Sequence, residues 1–240
     1  EVFNEEDEFL DLADLLIPTS DAKIQDDWYV SAFQGTGSNS LVVKDLEIPA
    51  HRYLSLMGLL KHDTPGITNN YTGWLHKAEP VPVLAIALCG GAIGLGKAAK
   101  KQFMENIQGK KVIYTDHIQT EWASTHITLG KAASQIDAGE LLIYRAADDT
   151  DRLAQAGQQM SMEMRGRIRM DCSHGVRLIL EGATELYIAG GAAGIAIKNP
   201  MQQISRDLHA TNMHGLLLME PSAEVYGRIL LGLEANTIII

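Results

Sequence analysis

The sequence predicts a mainly α protein: an antiparallel helical bundle over residues 53–240, preceded by short strands over residues 1–52. Three observations carry this reading. Two stretches, one from Ile118 and one from Ile168, repeat apolar or small residues alternately four and three positions apart, the seam of helices packed side by side. Proline, glycine and asparagine punctuate the chain where helices start and stop, at Pro80, Pro82, Gly190-Gly191 and Asn199-Pro200. The first fifty residues have a different texture, short apolar runs bounded by Gly, Ser, Asn and Pro, which read as strands.

Taken in order, Phe9 to Ile17 reads as a strand that Pro18 stops. Trp28 stands before a tight turn, Gly35-Thr36-Gly37-Ser38, and Leu41-Val42-Val43 follows as a strand. A first long helix is expected from Val81 to about Ile107. Its glycines, Gly90, Gly91, Gly94 and Gly96, each weaken a helix by roughly 1 kcal/mol against alanine, so close helix approach is the expected compensation. A second helix carries Ile118, Trp122, Thr125, Leu129, Ala132, Ile136, Gly139 and Ile143 on one seam. A third carries Ile168, Cys172, Val176, Ile179, Ala183 and Leu186 and ends at Gly190-Gly191. A fourth opens at Asn199-Pro200 and runs to about Thr211, and a fifth covers Pro221 to Leu231. Short links between such helices specify antiparallel neighbours.

Composition narrows the function. Acidic residues outnumber basic ones 30 to 20, for a net charge of -10, which argues against nucleic acid or an anionic membrane surface as the partner. Two cysteines, Cys89 and Cys172, make neither a disulfide framework nor a cysteine-rich zinc site, and a reduced cytoplasmic compartment is expected. The longest apolar stretch, Val81 to Gly96, falls short of the roughly 20 residues of a membrane span and is expected to be a buried bundle helix.

Several segments could carry chemistry. Gly91-Ala92-Ile93-Gly94-Leu95-Gly96 has the wrong spacing and context for a phosphate loop. Gly190-Gly191-Ala192-Ala193-Gly194 serves either as a helix cap or as a place where backbone approaches a flat cofactor. His209 and His214 flank a polar stretch just after Arg206-Asp207. Read locally, they suit a solvated helix end; imidazole is also the side chain best placed to exchange a proton near neutral pH.

Together and in order, Asp27-Trp28, Gly35-Thr36-Gly37-Ser38-Asn39, Ile48-Pro49 and His51-Arg52 resemble the end of the middle β domain of the acyl-CoA dehydrogenase fold. The Gly-Thr-Gly-Ser form is similar to its flavin-dependent monooxygenase branch. Gly190-Gly191, Pro200, Arg206-Asp207, His214 and Tyr226-Gly227-Arg228 follow the order of that branch's C-terminal helical domain. The resemblance covers nearly all of the chain and implies the C-terminal portion of a longer enzyme, with 1–52 the end of the β domain and 53–240 the bundle.

The resemblance implies a two-component oxygenase that takes reduced FMN or FAD from a separate reductase. Such an enzyme oxygenates a small, aromatic substrate through a C4a-hydroperoxyflavin. Where many dehydrogenases of the fold carry a catalytic Glu in a Tyr-Glu-Gly segment, this chain reads His214-Gly215-Leu216, which puts His214 in the role of the monooxygenases' histidine, with His209 a second candidate. Gly190, Gly191, Ala192 and Gly194 would approach the flavin, and Lys111 would offer charge across a subunit interface. Gln203 and Lys110-Lys111 stand where the family often has arginine. The resemblance also implies a homotetramer and a possible separate chain supplying the N-terminal half. The rival readings are an acyl-CoA dehydrogenase or oxidase and an accessory subunit of a split flavoenzyme.

Overall fold

A computed structural model of the chain describes residues 1–61 and 70–240. Its first part holds six short strands: β1 (Val2–Phe3), β2 (Phe9–Asp11), β3 (Ala13–Leu15), β4 (Lys23–Gln25), β5 (Ser40–Val42) and β6 (Tyr53–Ser55). They pair antiparallel as β1–β2, β3–β6 and β4–β5. The strand expected across Phe9–Ile17 is divided at Leu12, because β2 turns back on β1 while β3 meets β6. β6 lies just past residue 52 and carries the β region into the first helix.

The β4–β5 hairpin is braced by side chains. Asn39 Oδ1 accepts the backbone N–H groups of Asp27 at 3.2 Å and Trp28 at 3.1 Å. Asp27 Oδ1 accepts the N–H of Ser40 at 2.9 Å. The expected tight turn is a short 3-10 segment over Gln34–Thr36, entered at Phe33 and left at Gly37, both in the left-handed region (φ 53° and 58°).

Six α helices lie among the described residues: α1 (Leu56–Leu60), α2 (Pro80–Asn106), α3 (Ala123–Ala156), α4 (Met162–Ala189), α5 (Pro200–Asn212) and α6 (Met219–Leu230). Pro80 and Pro82 open α2, where a missing N–H costs nothing. The second seam starts one turn later than its pattern: Trp122 is the cap of α3, and Ile118 is bridged to Lys111 in the preceding loop. Gly157, at φ 64°, ends α3. Ser161 starts α4 by accepting the Met164 N–H, and Asn199 starts α5 by accepting that of Met201.

Side-chain pairs give the helix directions. Between α3 and α4, Gly139 meets Gly175, Ala132 meets Gly182, and Arg145 meets Asp171, so the two helices run antiparallel. Between α2 and α4, Glu79 pairs with Arg165, Cys89 approaches Cys172, and Gly96 meets Ile179; these pairs advance together, so α2 and α4 are parallel. Gly166 against Tyr226 and Ser173 against Ser222 set α6 antiparallel to α4. The third seam is the spine of this arrangement: Ile168, Cys172, Val176, Ile179, Ala183 and Leu186 are all buried.

The glycines divide differently from expectation. Among the described residues, only Gly96 on α2 is in close quarters, where a Cβ would stand 2.6 Å from Ile179 Cγ2; Gly90, Gly91 and Gly94 meet no described neighbour. The tightest approach is between α3 and α4, where a Cβ on Gly139 would come within 2.4 Å of the Gly175 carbonyl oxygen. The membrane argument also needs correction. α2 continues to Asn106 and is, by length and composition alone, long and apolar enough to cross a membrane. In the fold it is a bundle helix, with Ala85, Cys89, Ala92, Gly96, Ala99 and Phe103 buried.

Candidate functional site

The first group of candidates gathers at the C-terminus of α4. The last carbonyls of a helix need donors, and here two side chains from the loop between α2 and α3 supply them. Gln119 Nε2 donates to the Ala189 carbonyl at 2.8 Å, and Lys110 Nζ donates to that of Gly190 at 2.6 Å. Gly191 then takes φ 74°, a conformation open to glycine. Gly194 is needed for space, since a Cβ there would lie 2.8 Å from the Tyr187 ring.

Two small clefts adjoin at this turn. One, of about 220 Å³, is lined by Phe103, Lys110, Tyr187, Gly190 and Gly194. The other, of about 190 Å³, is lined by Lys110, Lys111, Trp122, Gly190 and Gly191. Gly190, Gly191, Gly194 and Lys111 are therefore brought together. Ala192 is exposed beside them and lines neither cleft. Lys111 is itself exposed, 3.7 Å from the Asp116 carboxylate. Lys110 is the lysine that reaches the glycine turn, and only the paired lysines in the sequence pointed to it.

A larger cleft, about 530 Å³, opens between the loop at residues 31–36 and α5, with Phe33, Ile197, Gln203 and Arg206 among its walls. The Arg206-Asp207 pair builds it. Arg206 donates from its guanidinium to the Ser31 carbonyl, and Asp207 Oδ1 accepts the Phe33 N–H at 2.9 Å. The Phe33 carbonyl in turn accepts the Trp28 indole N–H at 3.1 Å and the Thr36 hydroxyl at 2.9 Å. These contacts fix a left-handed residue and join the β region to the bundle.

His214 stands in the turn after α5, seven positions beyond Asp207. The ring is exposed, and its Nδ1 accepts the Leu216 N–H at 3.2 Å. A neutral imidazole accepting at Nδ1 carries its proton on Nε2, so His214 offers a donor outward. Two residues earlier, Asn212 Oδ1 is buried without a partner among the described residues, an acceptor awaiting a donor. His209 lies across the helix, with Nδ1 2.7 Å from the Ser205 carbonyl oxygen. Neither histidine lines the three clefts described.

Size tests which clefts suit a flavin. Cofactor-sized pockets run from about 300 to 1,000 Å³. The cleft at Phe33 and Arg206 falls in that range, as does one of about 440 Å³ lined by Gln119, Trp122, Thr125, Ile188 and Ala189, whereas the two smaller ones at the glycine turn suit a fragment such as a phosphate beside a lysine ammonium.

Residues 86–218, more than half of the chain, match the acyl-CoA dehydrogenase C-terminal domain family, and the chain belongs to that family. Among its relatives is the oxygenase subunit HsaA of a flavin-dependent monooxygenase from Mycobacterium tuberculosis, 29% identical over 93% of this chain and 57% of the relative. Another is the oxygenase component of an FADH(2)-dependent resorcinol hydroxylase from Rhizobium sp., 26% identical over 92% of this chain and 56% of the relative. Of solved structures, XiaF from Streptomyces sp. in complex with FADH2 and glycerol matches with a TM-score of 0.90 at 27% identity, covering 98% of this chain and 59% of XiaF. The HsaA monooxygenase from M. tuberculosis matches with a TM-score of 0.86 at 28% identity, over 96% of this chain and 59% of that one. The chain thus spans a little over half the length of the curated relatives it matches.

Proposed function

We propose that this chain is the C-terminal portion of a flavin-dependent monooxygenase, the oxygenase component of a two-component system acting on a small aromatic substrate. In this reading 1–52 closes a β domain and 53–240 is the helical domain. The observation that carries it is the likeness to XiaF, whose structure holds FADH2, over nearly the whole of this chain. Bound reduced FMN or FAD, delivered by a separate reductase, supplies the electrons that activate dioxygen.

The chain's own residues bind, orient and exclude water. Phe33 and Ile197 offer apolar walls, and Arg206 and Asp207 hold the cleft's shape. Gly190, Gly191 and Gly194 allow close backbone approach, with Ala192 beside them. Lys110 and Lys111 face an anionic group there, from this or a neighbouring subunit of a homotetramer. His214, through Nε2–H, donates a hydrogen bond to a reacting oxygen, and His209 plays at most a supporting part. The donor role follows from the Leu216 contact, which occupies Nδ1.

The β region supports a further portion of the protein beside it. Two-stranded pairs are marginal alone, and Leu10, Leu15, Ile24 and Leu41 are exposed on them. The remainder of a β domain, on the same polypeptide or on a separate chain, would cover these faces. Cys89 and Cys172 are buried free thiols, which fits a reducing cytoplasm.

The test uses the complete oxygenase, joined with any chain that supplies the remaining half. Reduced flavin, dioxygen and a panel of phenols are mixed, and hydroxylated product is counted per flavin oxidised. Product formation that needs externally reduced flavin supports the proposal. Reduction of bound flavin by an acyl-CoA alone would assign the chain to a dehydrogenase instead, and no flavin binding in any combination would leave an accessory role.

A further inference from the structure

A buried polar chain lies beneath the His214 turn. Ser173 on α4 and Ser222 on α6 are fully buried, with their Oγ atoms 2.7 Å apart. Ser222 donates its hydroxyl proton to the Leu218 carbonyl at 2.7 Å, so it accepts from Ser173. Ser173 Oγ also stands 3.0 Å from the Arg169 carbonyl and 3.4 Å from that of Leu216. With one proton to give, the serine has these as alternatives.

Arg169 joins the same cluster. It is 8% exposed, and its guanidinium donates to Ser222 Oγ at 3.4 Å and to the Ile239 carbonyl. Among the described residues no carboxylate pairs with it, and burial draws its pKa down. A buried cation held only by neutral oxygens is tolerated where several converge. Here they come from α6 and from the tail after it, where Ile240 is buried.

Leu216 is the joint between this cluster and the histidine. Its N–H donates to His214 Nδ1, and its carbonyl faces Ser173. We infer that Arg169, Ser173 and Ser222 are positioning residues that hold the His214 ring in one tautomer and orientation through the backbone of residues 216–218, with the C-terminal tail latched into the same network. The catalytic consequence rests on the proposed role of His214; the positioning itself does not.

The experiment separates the two. Amide exchange at Leu216 and the ring nitrogen resonances of His214 are recorded by NMR in the intact chain, without turnover. Ser222→Ala, and the double variant with Ser173→Ala, should speed Leu216 exchange about tenfold and mix the His214 tautomers, the scale of one lost hydrogen bond. Arg169→Lys, which keeps a donor, should restore more of the native spectrum than Arg169→Met. Thr150→Ala removes another buried hydroxyl, bonded to the Ala146 carbonyl on α3, and should leave both signals unchanged. Unaltered signals in the serine variants, or equal changes with Thr150→Ala, would overturn the inference. If the signals shift as expected while His214→Asn leaves product yield untouched, positioning stands and the catalytic reading of His214 fails.

Discussion

His214 differs from His209 in what it has left to offer. Both rings use Nδ1 on the backbone, but His209 donates a hydrogen bond to the Ser205 carbonyl and His214 accepts one from the Leu216 N–H. His214 therefore points its Nε2–H outward from an exposed ring. His214→Asn should lower hydroxylated product per reduced flavin by about tenfold or more, read by product and peroxide assays, while the melting temperature stays put because the ring is exposed. His209→Ala should change neither. The two lysines divide in the same way. Lys110 is half-buried on the Gly190 carbonyl, and Lys110→Met should cost about 1–2 kcal/mol in denaturant unfolding by leaving that acceptor unmet. Lys111→Met, at an exposed site, should be close to neutral. Nothing in the order of two adjacent lysines tells which one turns inward; that depends on the path of the loop from Ile107 to Trp122.

The helices show where a linear pattern is enough. A heptad seam is a property of one segment, so Ile168 through Leu186 could be read as core before any partner was known, and each of those residues is buried. Proline and asparagine mark starts by local chemistry, so α2 and α5 begin where Pro80 and Asn199-Pro200 place them. The glycines needed the partner helix. Four on α2 looked alike, yet among the described residues only Gly96 meets a neighbour, while Gly139 and Gly175, on different helices, touch backbone to backbone. Alanine substitution should separate them in denaturant unfolding. Gly139→Ala overpacks the α3–α4 contact and should destabilise by about 1–3 kcal/mol. Gly90→Ala meets open space on a helical backbone and should stabilise by about 1 kcal/mol. Equal effects at the two positions would mean that helix propensity, not approach, governs both.

At the scale of the whole molecule, long-range contacts were the least legible. Arg206-Asp207 was visible as a pair, but its work is to clamp Ser31 and Phe33, the latter 174 residues away, and no local pattern encodes that. The same holds for the charges that tie the bundle. Glu140 on α3 takes a hydrogen bond from Lys97 on α2, and Asp149 on α3 takes them from Arg152 and from Arg167 on α4. The Lys97 hydrogen bond holds Glu140 below the usual carboxylate range, and those from Arg152 and Arg167 do the same for Asp149. A carboxylate with a lowered folded pKa binds protons less readily folded than unfolded. Its stabilisation is complete above the unfolded value, about 4, and is lost as pH falls through the folded one. The melting temperature should therefore hold from neutral pH to about 5 and fall steeply below about 4. A Glu140→Gln, Asp149→Asn double variant should melt lower than the parent at neutral pH and lose less on acidification, so that the two curves converge in acid. Parallel curves would place the acid sensitivity in other carboxylates and leave these inter-helix contacts without a share in it.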